Sequence, residues 1–362
     1  MKSVTLRKWT LSLFAAISVV GLAACGSQSA PAPSASTPST TPAAAPAPAP
    51  ATTAPKVEGT LSFYTSQPDT DAAALIEGFT KKYPDVKVEL FRSGTEEVVS
   101  RLQAEAKAGQ VKADVLLVAD APTFASLKKQ DLLLSYSSPE AADIPADYKD
   151  ADGAYTGTKV MATVLAVNSN KVKTMPDSWK VLISPEASGK AIMPSPLYSG
   201  AAAYNVGVLT RQADFGWDYM QGLKTNAMTV IKGNGAVLKS VAGGEKDYGM
   251  IVDYLVARAK TEGSPVEMVY PSEGVPVITE PIGIMKASQN QEAAKAFVDF
   301  VLSEDGQKLA ASLGYTPIRK GVAAPAGLKS IEEIKVLSAS IDELEAARED
   351  DKKKFGEMMG GK

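Results

Sequence analysis

Between residues 59 and 120 strand and helix signals alternate with almost nothing between them, and this limits the folds open to the chain more than any other feature. "GTLSFYTS" (59–66) carries the threonines and aromatics of a strand. "TDAAALIEGFTKKYP" (70–84) spaces its apolar residues as a helix does and stops at Pro84. "VKVELFR" (86–92) is a second strand, and "GTEEVVSRLQAEAKAG" (94–109) a helix with Glu96 and Glu97 in its first turn, where the helix dipole favours carboxylates. "ADVLLVAD" (113–120) is apolar enough to be a buried strand, and a helix follows from Pro122. Whole helices between successive strands are crossover connections, so these strands form a parallel sheet covered on both faces.

A long extended segment, "VMATVLAVNSNKV" (160–172), leads out of this series into a second one. There "AIMPSP" (191–196) precedes helices from Ser199 and across 215–224. "AMTVI" (227–231), a helix near Gly235, "YGMIV" (248–252), a helix from Asp253 and "VEMVY" (266–270) complete it. "VPVITEPIGIMK" (275–286) crosses back, and "QEAAKAFVDFVLS" (291–303) and "EDGQKLAASLG" (304–314) read as helices that close the first series. One series interrupted by another through two extended crossings predicts two lobes, a cleft and a hinge. Near the C-terminus, Ser330 with Glu333 and Ser340 with Glu343 have the spacing of capping boxes. The charged run over 345–354 is expected to be a solvated helix face.

The first 24 residues read as an export signal. Lys2, Arg7 and Lys8 precede an apolar run that ends in Leu22-Ala23-Ala24-Cys25-Gly26. The ending resembles a bacterial lipobox, which implies cleavage before Cys25 and lipidation of its thiol. From there to residue 57 the chain is nearly all Pro, Ala, Ser and Thr, too poor in apolar surface to offset its ordering entropy, and is expected to be a disordered tether.

The composition closes off several chemistries. The 362 residues contain no histidine, which excludes histidine general bases, Ser-His-Asp triads and most zinc enzymes. Cys25 is the sole cysteine, so no disulfide can form within the chain. The net charge is −3, and −6 without the three cations of the signal, which argues against nucleic acid as a partner. Nucleophile elbows, Walker loops and metal-ligand spacings are missing from the sequence. No cofactor is expected. An enzyme and an adhesive surface lipoprotein are the rival readings, separated by turnover of a bound ligand and by ligand-dependent closure.

The order of segments, with "LSFYTSQPDTDAAALIEGFTKKYPDVKVE", "ADVLLVADAPTFASLKKQDLL", "GYTPIRK" and "FVDFVLSEDGQKL", resembles the extracellular solute-binding proteins of ATP-driven importers. The nearest group contains ferric-iron, 2-aminoethylphosphonate and sugar-phosphate binders. The resemblance implies an α/β chain of the two-lobed type II periplasmic-binding-protein fold, each lobe a mostly parallel sheet flanked by helices. It places the first lobe at 58–164, the second at 165–277, and a return to the first lobe with C-terminal helices at 278–362. It also implies a non-enzymatic monomer that delivers a small anionic solute to the transmembrane subunits of a permease. Ferric members of the group hold iron with a histidine, a glutamate and two adjacent tyrosines. Those positions fall here on Pro68, on or beside Ala119, and on Tyr254-Leu255, so one ligand of the four survives. An iron site built from Tyr198, Tyr204 and Tyr254 with an exogenous anion is the alternative.

The candidate site comes from turns at the carboxyl ends of strands, which face the cleft in such folds. In "PSPLYSGAAAY" (194–204) Ser199 and Gly200 begin a helix, whose free amides and positive end suit an anion, and Ala201 keeps its face small. Thr65, Ser66 and Gln67 end the first strand, Ser93, Gly94 and Thr95 open a first-lobe helix, and Asn234 sits in the Gly-Asn-Gly before another. Asp120, Asp253, Glu273 and Glu280 are candidates to receive an amino group, and Tyr254 to stack on the ligand or donate its phenol. Each of these is equally at home as a cap, a hinge contact or ordinary packing.

Overall fold

The computed structural model describes residues 56–360; the export signal, Cys25 and nearly all of the tether lie outside the described residues. The chain opens with β1 (Gly59–Thr65), α1 (Asp69–Lys82), β2 (Val86–Arg92), α2 (Thr95–Lys107), β3 (Val115–Leu117) and α3 (Ala121–Lys129). β1 runs parallel to β2 on one side and to β3 on the other. β3 is shorter than its apolar run suggests. At one end the Asp114 carboxylate takes the Ser62 amide (2.8 Å), and at the other Asp120 turns out to cap α3 through the Thr123 amide (3.0 Å).

After β4 (Leu133–Leu134) comes β5 (Thr156–Asn168), whose 13 residues are all buried. Next are β6 (Ala191–Pro194), α4 (Gly200–Thr210), α5 (Gly216–Thr225), β7 (Thr229–Ile231), α6 (Asn234–Ala242), β8 (Tyr248–Val252), α7 (Asp253–Thr261) and β9 (Val266–Val269). β6 lies parallel to β7 and β8. β10 (Val275–Met285) then returns antiparallel to both β5 and β3. β5 changes neighbours along its length: up to Ala162 it pairs with β10, and from Thr163 it pairs with β8 and then β9. The sheet order β2-β1-β3-β10-β5-β8-β6-β7 is therefore two parallel-rich sheets joined by two long antiparallel strands, and the two lobes are built on these sheets.

Each sheet has its own core. In the first, Phe63 and Phe79 pack on Phe297 of α8 (Gln291–Leu302), with ring centroids 4.8 and 4.9 Å apart. In the second, the buried Trp179 donates its indole N–H to Gly274 O (2.8 Å), and Tyr219 donates to Trp179 O (2.8 Å). A buried aromatic with its polar atom satisfied contributes area without a desolvation penalty.

The last segment holds α9 (Glu304–Ser312), β11 (Thr316–Pro317), β12 (Val336–Leu337) and α10 (Ile341–Met359). The Ser330–Glu333 capping box forms in full but opens only a short 3₁₀ turn, Ile331–Glu333. Ser340 caps α10 by accepting from the Glu343 amide (3.2 Å). The charged run on α10 is solvated on one side only, where Glu349, Asp350, Lys353 and Lys354 are exposed; its other side faces inward. Leu344 and Phe355 are buried, and the side chains of Arg348 and Lys352 are only 11% and 13% exposed. α10 lies against α3, α4 and α5, and carboxylates from the first lobe neutralise its inner cations.

Candidate functional site

Parallel strands send their following helices to one edge of the sheet, N-termini first. Five such turns meet at a cavity of about 390 Å³ between the two sheets. Ser66, Gln67 and Pro68 come from the entry to α1; Gly94 and Thr95 from α2; Ser199 and Ala201 from α4; Gly233 and Asn234 from α6; Val252, Tyr254 and Leu255 from α7. Each of these helices has unsatisfied amides and partial positive charge in its first turn. Asn234 ties the second-lobe wall together: its amide donates to the Ser199 hydroxyl (3.3 Å), and its carbonyl oxygen accepts from the Val252 amide (3.3 Å).

Two cations join the wall, and neither stands out in the sequence as a site residue. Arg92, the last residue of β2, donates Nε to Gln67 O (2.6 Å); among the described residues its other guanidinium nitrogens have no hydrogen-bond partner. Lys232 lies 3.0 Å from Glu97 and 4.5 Å from the centre of the Tyr198 ring. Their positions at strand ends, immediately before Ser93-Gly94 and Gly233-Asn234, are the signal that could have found them.

Of the sequence candidates, Ser66, Gln67, Gly94, Thr95, Ser199, Ala201, Asn234 and Tyr254 line this cavity. Of the remaining candidates for the anion site only Glu280 also reaches the lining. Thr65 is buried, donating to Leu117 O (2.7 Å) and accepting the Gln67 amide (3.1 Å). Ser93 donates to Glu97. Asp120 is fully buried and accepts both a cap from Thr123 and Nη1 of Arg348, shared between its two oxygens at 2.8 and 3.1 Å. Gly200 faces the opposite lobe: a Cβ there would lie 2.5 Å from Ala119 O and 2.9 Å from Thr95 Oγ1. Glu273 holds the Ser178 hydroxyl and the Trp179 amide and is not in the lining. The Glu280 carboxylate, however, is already shared by Lys159 and the side-chain Nε2 of Gln67. Tyr204 is half-buried on α4, outside the lining, and burial pushes its phenol up to about 12.

Asp253 is buried at the start of α7, where its carboxylate accepts from the Tyr254 amide (2.8 Å). Burial pushes its pKa from 3.8 up to about 7, against the opposing hydrogen bonds from the Ala162 and Tyr254 amides. The folded chain thus keeps a proton that the unfolded chain releases near pH 4. Stability from this group is greatest below pH 4 and falls as pH rises to 7, by on the order of 4 kcal/mol over the full window. Asp253→Asn should flatten that slope and raise the melting temperature at pH 8, as scanned by calorimetry from pH 4 to 8. An unchanged slope in the variant would refute the assignment.

Residues 74–336 match the family of bacterial extracellular solute-binding proteins. The chain belongs to that family. A Sinorhizobium fredii protein named as an ABC transporter periplasmic-binding protein is 28% identical over 275 residues, 73% of this chain and 75% of its own. A Salmonella typhimurium protein named for 2-aminoethylphosphonate binding is 26% identical over 301 residues, 79% of this chain and 81% of its own. The crystal structure of iron-bound HitA from Pseudomonas aeruginosa superposes with a TM-score of 0.73 at 26% identity, covering 82% of this chain and 99% of that one. The solute-binding chain has the type II periplasmic-binding-protein fold, and its cavity occupies the cleft between the two lobes. Pro68, Ala119 and Leu255, on or beside the iron-ligand positions implied by the resemblance, line that cavity with hydrocarbon side chains.

Proposed function

We propose that this solute-binding protein is the non-enzymatic, monomeric capture component of an ABC importer for a small phosphoryl anion, an organophosphonate such as 2-aminoethylphosphonate or a phosphate ester. The observation that carries this is the convergence of five helix N-terminal turns with Arg92 and Lys232 on one cavity. A tetrahedral anion has enough acceptor lone pairs to engage several such turns at once, and needs no metal to do so. The volume suits a ligand of a few to about twenty heavy atoms. The lobes, taken as 58–164 with 278–362 and as 165–277, would close about β5 and β10 and present the ligand to the permease. Cys25 would carry the lipid anchor that keeps the protein at the membrane; loss of a diacylglycerol label in Cys25→Ser is the check.

Iron is the competing ligand, given the relative whose structure contains it. Here burial raises the Tyr254 phenol well above its ordinary range, and its ring stacks on Tyr315 with centroids 4.1 Å apart. One thermal-shift panel separates the readings: 2-aminoethylphosphonate, phosphate esters, inorganic phosphate and ferric citrate. A true ligand at 100 times its Kd stabilises the fold by about 2.7 kcal/mol. Arg92→Met should weaken that ligand by roughly 1.5–3 kcal/mol, the scale of a hydrogen bond from a charged group. Ferric citrate should produce no strong visible tyrosinate band. A coloured one-to-one complex, bleached by Tyr254→Phe, would overturn the phosphoryl reading, and release of phosphate from a bound ester would overturn the non-enzymatic one.

A further inference from the structure

Helix α10 touches both lobes, and it does so with two different kinds of contact. Its apolar residues Leu344 and Phe355 are buried in the same cluster as Val208 and Leu209 of α4 and Met220 of α5. Leu344 fits so closely that a Cβ on Gly207 would come within 2.8 Å of it. Arg211, the C-cap of α4, adds ion pairs to Glu343 (3.0 Å) and Asp351 (2.7 Å). Although α10 lies in the 278–362 stretch counted with the first lobe, these contacts seat it on the second.

From that seat its cations reach across to the first lobe. Arg348 holds Asp120 through one nitrogen (2.8 and 3.1 Å) and Glu96 through the other (2.7 Å), and Lys352 holds the second oxygen of Glu96 (2.5 Å). Both carboxylates are sequence neighbours of cavity residues: Asp120 follows Ala119, and Glu96 follows Thr95. Burial opposes the charge on Glu96, yet Arg348 and Lys352 outweigh it and keep the carboxylate ionised below the ordinary range. Buried charges of this kind are costly to separate and strongly directional.

We propose that α10 is a strap between the lobes, and that Arg348 is a positioning residue which sets how much of the empty protein is closed. No contact with solute is required of it. Because apparent affinity scales with the fraction of protein in the binding-competent form, slackening the strap weakens capture of any solute. The bridge between Arg258 and Asp71 (3.1 Å), which also joins the lobes, is independent of α10 and limits how far the equilibrium can move.

The test uses the full chain without any solute, so it is independent of what the cavity takes. Cys25→Ser removes the only native thiol, and Lys107→Cys and Lys224→Cys, both at exposed positions on opposite lobes, carry spin labels. Pulsed electron resonance then reads the interlobe distance, with Gly200→Val as the open reference because the Ala119 carbonyl blocks its closure. The strapped protein should show a population distinct from that reference. Arg348→Lys keeps the charge but cannot span two carboxylates. Arg211→Met loosens the other end and leaves Arg348 paired, so the buried acids keep their partner. Each should lower the closed-to-open ratio roughly tenfold or more, the scale of one charge-assisted hydrogen bond. Distance distributions identical to the parent in both variants, even with lowered melting temperatures, would make α10 a packing helix and end the proposal. So would a parent already indistinguishable from the open reference.

Discussion

Gly200→Val should leave the apo protein folded and abolish solute binding. Its backbone is not in the left-handed region, so glycine is needed here for room rather than for conformation. Any Cβ at this position would stand 2.5 Å from Ala119 O and 2.9 Å from both Cγ2 and Oγ1 of Thr95. The carbonyl belongs to backbone between β3 and α3 and cannot swing aside as a side-chain tip would. The three obstructing atoms all come from the first lobe, while Gly200 opens α4 of the second, so the conflict exists only when the lobes meet. In the open form valine at the first turn of a helix costs a fraction of a kcal/mol. The expected pair of results is an apo melting temperature near that of the parent and no thermal shift or heat of binding with whichever ligand stabilises the parent in the thermal-shift panel. Ser199→Ala is the milder comparison: it removes the cap on the Ala202 amide (3.3 Å) and the acceptor for Asn234, and should weaken binding by roughly 1.5–3 kcal/mol. Normal affinity in Gly200→Val would mean that the protein binds without bringing Ala119 and α4 together.

The turns were legible in the sequence because their chemistry is local. A hydroxyl, amide or glycine between a strand and a helix announces a helix N-terminus, and in a doubly wound sheet such termini share one edge. That is why Ser66, Thr95, Ser199 and Asn234 could be named without coordinates, and why they line one cavity. Charge pairing was not legible, because it is not local. Arg348 and Asp120 are 228 positions apart and Arg348 and Glu96 252, so nothing near 345–354 distinguishes a buried cation from a solvated one. The same blindness explains Asp120 and Asp253. Each sits at the expected helix start, but one is consumed by Arg348 and the other is fully buried, so neither faces the cavity. Gly200 was legible as a place of close backbone approach, and in the structure the group that comes close is the Ala119 carbonyl of the other lobe.

Separating Lys159 from Glu280 should cost the fold more than any other single side-chain change at the cavity. Lys159 lies on β5 and Glu280 on β10, the two strands that connect the lobes, and their side chains are 3% and 6% exposed. The Lys159 ammonium has Thr158 Oγ1 at 3.4 Å and the face of Tyr315 at 4.7 Å as further partners, and Glu280 also accepts from the side-chain Nε2 of Gln67 at 3.2 Å. Taking out one partner strands the other charge away from water, at a cost of about 3–5 kcal/mol. Lys159→Met and Glu280→Gln should each lose that much in urea unfolding, while the double variant, which buries no charge there, should regain most of it. Additive losses would mean that the two side chains are held independently. The pairing also bears on the solute. With its charge balanced by Lys159, Glu280 offers an incoming ammonium group little net attraction, whereas Arg92 and the helix N-termini still favour the anion. A phosphate ester without an amino group should therefore bind at least as well as 2-aminoethylphosphonate in the parent protein. In Lys159→Met, assayed well below its own unfolding midpoint, the freed carboxylate should shift the preference toward the aminophosphonate; a preference that stays where it was would show that Glu280 does not face the bound solute.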